Sequence, residues 1–169
     1  YIGLGSNRGD RLAALRRAAE LLTGHGVHAL EWSSVYETTP VDCPAGSGEF
    51  LNAVAGAATE LRGRSLIEAV LAIEAACGRT RSGVNAPRTI DIDILLQGDD
   101  VVDEEGVEIP HPRLHERLFV LAPLREIAGG VRHPVTGRTI EALHDACREG
   151  SRERVRLYAP PSAIGTVTD

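Results

Sequence analysis

Across the first 96 residues the hydrophobic period switches between two and 3.6 in a fixed order, and few folds accommodate that order. Tyr1 to Leu4 is a short apolar run ending in the turn formers Gly5-Ser6-Asn7. Asp10 is placed to cap a helix from Arg11 to about Thr23, with Leu12, Leu15, Ala19 and Leu22 on one face and Gly24 and Gly26 ending it. Leu30 to Glu37 and Phe50 to Leu61 are rich in strand formers. Ser65-Leu66-Ile67-Glu68 matches a capping box, opening a helix that carries Ile67, Val70, Leu71 and Ala75 and stops at Gly78. Thr89 to Leu96 is strongly strand-like. The order β-α-β-β-α-β is the split βαβ pattern, so the expected class is α+β: a ferredoxin-like sandwich with an antiparallel sheet and helices packed on it.

Downstream, Val107 to Ile109 predicts a short strand, followed by a His-Pro loop and a helical region from Glu116 that Pro123 is expected to interrupt or restart. Thr139 to Cys147 predicts a last short helix, and the tail from Ser151 a loosely held strand or loop. The 169 residues fit one domain, with 130–169 as a C-terminal extension expected only to pack. No apolar run approaches the roughly eighteen residues of a membrane span. The chain opens at Tyr1 without an initiator Met, directly in a strand, so its natural start is expected upstream.

All 18 basic side chains are arginine, and lysine is absent. That excludes a P-loop lysine, the strand lysine of a protein kinase, a Schiff-base lysine and a Ser–Lys dyad. Any phosphate handled here meets arginine, backbone N–H groups or a metal. The net charge of −6 argues against general binding to nucleic acid or anionic membranes. Cys43, Cys77 and Cys147 show neither C-x-x-C spacing nor a disulfide framework, which predicts a reducing, cytoplasmic setting.

Thr89-Ile90-Asp91-Ile92-Asp93-Ile94-Leu95 carries the strongest local signal. Strand alternation places Asp91 and Asp93 on one face and Ile90, Ile92 and Ile94 on the other. Two carboxylates about 7 Å apart at Cα can converge on a hard cation such as Mg²⁺, although an isolated D-x-D is more often a solvated polar face. Arg79, Arg81, Arg88, Arg113 and Arg117 lie near this pair in sequence, either as surface ion pairs or as a clamp on a polyphosphate. Both phenylalanines, Phe50 and Phe119, fall beside loops: Phe50 next to the turn-rich Pro40–Gly48 stretch, Phe119 after His111. They read as core anchors or as two faces of a slot for an aromatic ligand, with Asn52 near its edge. His111, between Pro110 and Pro112, reads as a turn residue or a phosphate donor; the other histidines lack metal-ligand spacing.

These segments together resemble the 6-hydroxymethyl-7,8-dihydropterin pyrophosphokinase family. The resemblance runs through Tyr1–Asn7, Ser33–Thr38, Phe50–Ala53, Gly78-Arg79-x-Arg81, Ala86–Leu95, Ile109–Arg113 and Arg117–Leu124, most of residues 1–128, with Pro-Arg-Thr-Ile-Asp-Ile-Asp-Ile the most specific part. It implies transfer of pyrophosphate from ATP to the pterin hydroxymethyl group, with release of AMP, in folate biosynthesis. It implies two Mg²⁺ ions held by Asp91 and Asp93, and catalytic Arg81 and Arg88. It further implies an ATP site of Glu74, Arg81, Arg88, Ile94, His111 and Arg117, and a pterin site of Thr38, Val41, Phe50, Asn52 and Phe119. The expected partners are these two small molecules, with no nucleic acid and no membrane, and the expected state is a monomer.

One segment departs from the family. Where many relatives carry a further arginine and often a Trp before Gly-Pro-Arg, this chain has the shorter, uncharged Ser82-Gly83-Val84-Asn85-Ala86, so Asn85 is expected to cap the site by hydrogen bonding. Two rival readings are a Mg²⁺-dependent nucleotidyltransferase and a non-enzymatic ferredoxin-like ligand-binding domain. The first usually places Gly-Ser shortly before its aspartates, whereas Gly5-Ser6 is far upstream; the second has no need of paired aspartates beside five arginines.

Overall fold

Ile2 and Leu4 face the same way as Ile94 and Ile92 because β1 (Ile2–Ser6) and β5 (Asp91–Ile94) pair antiparallel, with Ile2 opposite Ile94 and Leu4 opposite Ile92. On its other edge β1 pairs with β4 (Phe50–Ala58), Leu4 opposite Ala53 and Ile2 opposite Ala55. This apolar face is covered by α1 (Arg11–Gly24), through Leu15, Ala18 and Leu22, and by α2 (Gly63–Ala76), through Leu66, Val70 and Ile73. The computed structural model describes residues 1–79 and 89–165. The strand order is β5-β1-β4-β3-β8, all neighbours antiparallel, with β2 pairing the far end of β4. The α+β class expected from the element order is the one observed.

Local details follow from identifiable side chains. Asp10 caps α1 as expected, its carboxylate accepting from the Ala13 N–H at 3.0 Å. The expected Leu30–Glu37 strand is two strands, β2 (His28–Trp32) and β3 (Val35–Thr38). The cause is Ser33, whose Oγ accepts from the Val54 N–H at 2.8 Å and so displaces a backbone partner from the ladder. Helix α2 starts two residues before Ser65, which acts from inside the first turn: its Oγ accepts from the Arg62 N–H at 3.1 Å.

The opposite face of the sheet carries α3 (Leu118–Ala128), with α4 (Ile140–Gly150) behind it. Val54 and Leu95 meet Leu121, Leu124, Ile140 and Leu143 in a second core. Helix α3 runs on through Pro123, contrary to the expected break. Proline removes one helical bond, to the carbonyl of Phe119, but burial of Leu118, Val120, Leu121, Leu124 and Ala128 outweighs it. A small hairpin of β6 (Val102–Glu104) and β7 (Val107–Ile109) precedes a cis Ile109–Pro110 bond and a 3-10 turn at Leu114–Glu116.

The tail is more firmly held than its composition suggests. β8 (Val155–Ala159) pairs with β3 as an edge strand. Arg156 meets the buried Glu37, which Arg11 also reaches at 2.8 Å. Burial alone would raise the Glu37 carboxyl, yet the two guanidinium groups hold it below its usual range. On the other side of β3, the Glu126 carboxylate of α3 accepts from the Ser34 N–H (3.0 Å), the Ser34 hydroxyl (2.8 Å) and the Tyr36 hydroxyl (3.1 Å).

Leu121 is fully buried at the centre of the second core, so Leu121→Ala is expected to lower unfolding stability by about 2–5 kcal/mol, measured by urea denaturation.

Candidate active site

In an antiparallel sheet, residues directly opposite share a face. Gly5 lies opposite both Asp91 and Asn52, and Gly3 opposite both Asp93 and Val54, so the two aspartates share a face with two glycines and Asn52. The missing side chains of Gly3 and Gly5 leave a hollow in the middle of a sheet face otherwise covered by α3. A Cβ on Gly5 would come within 2.8 Å of Asn52 Oδ1, so this position accepts no larger residue without moving Asn52. The hollow is the floor of a pocket of about 780 Å³, its open mouth included.

The pocket's walls come from different parts of the chain. Thr38, Thr39, Val41 and Cys43 descend from β3 into the following loop, and Phe50 and Asn52 belong to β4. Phe119, Val120 and Pro123 face them from α3, while Asp91, Asp93 and Arg117 complete the lining. Asn52 is 6% exposed, and its amide donates to Thr38 Oγ1 at 2.7 Å, which fixes the direction of its carbonyl oxygen. The Arg117 guanidinium lies 5.6 Å from the centre of the Phe119 ring, within cation–π range. The loop after β3 is tied to the His-Pro segment by an ion pair, Arg113 Nη2 to Asp42 Oδ2 at 2.6 Å.

Eight residues singled out from the sequence thus line one pocket: Thr38, Val41, Phe50, Asn52, Asp91, Asp93, Arg117 and Phe119. His111 is beside it, its Nε2 3.4 Å from Arg117 Nη1. Glu74 stands one side chain further back, buried on α2, accepting from the Ile92 N–H at 2.7 Å and paired with Arg79. Ile94 does not line this pocket: alternation along β5 sends it to the opposite face, where it is 6% exposed in the first core. Arg81, Arg88 and Asn85 lie outside the described residues.

Arg79 is the residue that sequence reasoning counted without assigning a place. Its Nη1 reaches Asp91 Oδ1 at 2.8 Å and also contacts Glu74, so it links a buried and a half-exposed carboxylate. Its signal was its position one residue after the helix-ending Gly78, but adjacency to Asp91 depends on α2 packing against β5.

Electrostatics separate these groups. Burial raises the Glu74 carboxyl despite the opposing Arg79 and Ile92 N–H. Burial, and next the charge of Arg117, depress His111 from its usual 6.5 to about 4. His111 is therefore neutral near pH 7. Its Nδ1 faces the Arg113 N–H at 3.1 Å and its Nε2 faces the Arg117 guanidinium at 3.4 Å, so both ring nitrogens meet donors. Because the folded state resists protonating this ring, His111 removes stability as pH falls from about 6.5 towards 4 and has no effect above that window. His111→Gln is accordingly expected to lose less melting temperature than the parent between pH 7 and pH 4, by differential scanning calorimetry.

Asp91 and Asp93 offer hard oxygen donors over a glycine floor. Among the described residues no cluster of three or more His, Cys, Asp or Glu forms a self-sufficient metal cage. This donor set fits Mg²⁺, which keeps water and substrate phosphates in its shell.

Comparison with known proteins points to one family. The family model described as 7,8-dihydro-6-hydroxymethylpterin-pyrophosphokinase (HPPK) matches residues 1–129. The chain is similar to the 2-amino-4-hydroxy-6-hydroxymethyldihydropteridine pyrophosphokinase of Bacillus subtilis, 41% identical over 165 residues covering 97% of this chain and 92% of the relative. The protein of the same description from Methylorubrum extorquens is 43% identical over 129 residues, covering 76% of this chain and 81% of the relative. A crystal structure of Plasmodium falciparum HPPK-DHPS superposes with a TM-score of 0.69 at 16% identity over 86% of this chain; the match spans 42% of that longer chain and speaks for the fold alone. The β-α-β-β-α-β core, the paired aspartates of β5 and the matches over most of the sequence lead to one conclusion: the chain belongs to the 7,8-dihydro-6-hydroxymethylpterin-pyrophosphokinase family.

Proposed function

We propose that the pocket between α3 and β4 is where this chain carries out its family's reaction, with the aspartates of β5 marking the phosphate end and the two phenylalanines the pterin end. As a member of the family, the chain transfers pyrophosphate from ATP to the hydroxymethyl group of 6-hydroxymethyl-7,8-dihydropterin, releasing AMP, in folate biosynthesis. The hydroxymethyl oxygen attacks the β-phosphorus and loses its proton, and the bridging oxygen leaves with AMP. One observation carries the placement: Asp91 and Asp93 share a pocket with Phe50, Asn52 and Phe119, so one cavity holds both a cation-binding pair and an aromatic slot.

Asp91 and Asp93 are assigned to two Mg²⁺ ions. Held by these carboxylates, Mg²⁺ would supply positive charge to offset that of the phosphates. Phe50 and Phe119 take the two faces of the pterin ring, while Asn52 and Thr38, locked to each other, address its polar edge. Val41 closes the slot on the loop side.

Arg117 and His111 serve the ATP phosphates. Arg117 Nη1 contacts His111 Nε2 at 3.4 Å, which ties the guanidinium to the His-Pro segment, and the guanidinium has further N–H donors for an anionic oxygen. Neutral His111 orients the guanidinium, and Arg117 supplies the charge. Arg81 and Arg88 are assigned to the same phosphates by resemblance, and Glu74 to the adenosine side; Ile94, buried in the first core, is left out of the site. The three cysteines are free thiols, which supports the cytoplasmic reading.

Incubation with Mg-ATP is expected to yield AMP only when the pterin is present, read by nucleotide chromatography; ADP, or free pyrophosphate without pterin, would reject the assignment. Asp93→Ala should cost several orders of magnitude in turnover while retaining the native circular dichroism spectrum. Gly5→Ala, which crowds Asn52, should raise the KM for the pterin with little change in that for ATP.

A further inference from the structure

Helix α3 supplies one whole wall of the pocket, and its first turn is held by a residue far outside the family-matched segment. The first N–H groups of an α-helix have no partner within the helix. Here Arg117 occupies the position just before α3 and makes no side-chain cap. The Glu153 carboxylate takes that role instead, accepting from the Leu118 N–H at 3.3 Å and the Phe119 N–H at 2.9 Å. A carboxylate at a helix N-terminus is stabilised both by these bonds and by the helix dipole.

The segment that carries Glu153 also grips the facing wall. Arg154, the next residue, exchanges two bonds with Thr39: the Thr39 N–H donates to the Arg154 carbonyl at 3.1 Å, and the Arg154 N–H donates to Thr39 Oγ1 at 3.1 Å. Thr39 lines the pocket, and Val155 then pairs with Thr38 as β8 begins. Glu153 is itself oriented by its own N–H, which donates to Ser151 Oγ at 3.0 Å. Residues 151–154 therefore bridge the two walls that carry Thr38 and Phe119. The family model ends at residue 129, so this brace lies beyond it.

We propose that Glu153 is a positioning residue for pterin binding: by capping α3 from a segment bonded to Thr39, it sets the width of the slot between the Phe119 wall and the β3–β4 wall. The inference rests on the placement of the pterin between Phe50 and Phe119. A purely structural cap would act on the helix as a whole, but Leu121 and Leu124, fully buried further along α3, hold the helix axis without Glu153. What Glu153 controls is the first turn, where Phe119 and Val120 face the pocket and Arg117 precedes them.

The test uses the full chain with Glu153→Ala and Glu153→Gln. Pterin affinity is read from the ligand's own fluorescence in the presence of Mg²⁺ and a non-hydrolysable ATP analogue, alongside the KM of each substrate and the thermal melt. Glu153→Ala is expected to keep a cooperative melt and to weaken pterin binding about five- to ten-fold, the scale of a lost N-cap. The ATP KM should change less: Arg117 precedes this helix, but His111, Asp91 and Asp93, which share the phosphate end with it, do not sit on it. Glu153→Gln keeps one acceptor oxygen without the charge and should fall between; if the alanine variant does not fold, the glutamine variant carries the comparison. Unchanged pterin affinity in the folded variants, or equal losses for both substrates that track the folded fraction, would overturn the assignment while leaving the site intact. A parent protein that binds no pterin would overturn the site placement and this inference with it.

Discussion

The register of β1 between β5 and β4 is the constraint on which the rest of this structure depends. Side chains alternate with a period of two, so slipping β5 by one residue against β1 would turn Asp91 and Asp93 into the first core and bring Ile92 and Ile94 out to the pocket. The observed register is stabilised by apolar burial on one side, where Ile2, Leu4, Ile92 and Ile94 meet α1 and α2. The hollow on the other side is a consequence: the residues of β1 that face it are Gly3 and Gly5. Packing on one face thus positions chemistry on the other.

Charge is handled by arginine throughout, and the arrangement differs with depth. Buried Glu37 is shared by Arg11 and Arg156, and buried Glu74 by Arg79 and the Ile92 N–H. At Glu37 the guanidinium groups outweigh burial; at Glu74 burial wins. A guanidinium stays protonated when partly buried, where an amine would lose its charge more readily, so a lysine-free chain keeps its ion pairs as its surroundings become less polar. Around His111 the same logic runs in reverse, because burial and then the charge of Arg117 keep the ring neutral.

The region after residue 130 reads from the sequence as packing material, and part of it is that: Ile140 and Leu143 fill the second core. Its other contribution depends on backbone geometry. β8 extends the sheet beside β3, Arg156 reaches Glu37, and Glu153 with Arg154 joins both pocket walls. None of these contacts leaves a periodic trace, since a single glutamate capping a helix more than thirty residues upstream has no local signature.

What the sequence determines by itself here is local: the strand alternation that separates Asp91 and Asp93 from the isoleucines, the Asp10 cap, the order of elements and hence the α+β sandwich. Those features depend on neighbours within a turn or two of the chain, so periodicity and capping chemistry reveal them. The split at Ser33 and the unbroken helix through Pro123 went unread because each is decided by a partner remote in sequence, Val54 in one case and the second core in the other. The site divides in the same way. The residue types and motifs of the pocket were legible, whereas the approach of Arg79 to Asp91 and the clasp of Glu153 on α3 were decided only when helices and strands packed. Tertiary structure alone settles them, because each requires two distant segments to be brought within hydrogen-bonding or van der Waals distance by burial that no single segment can achieve.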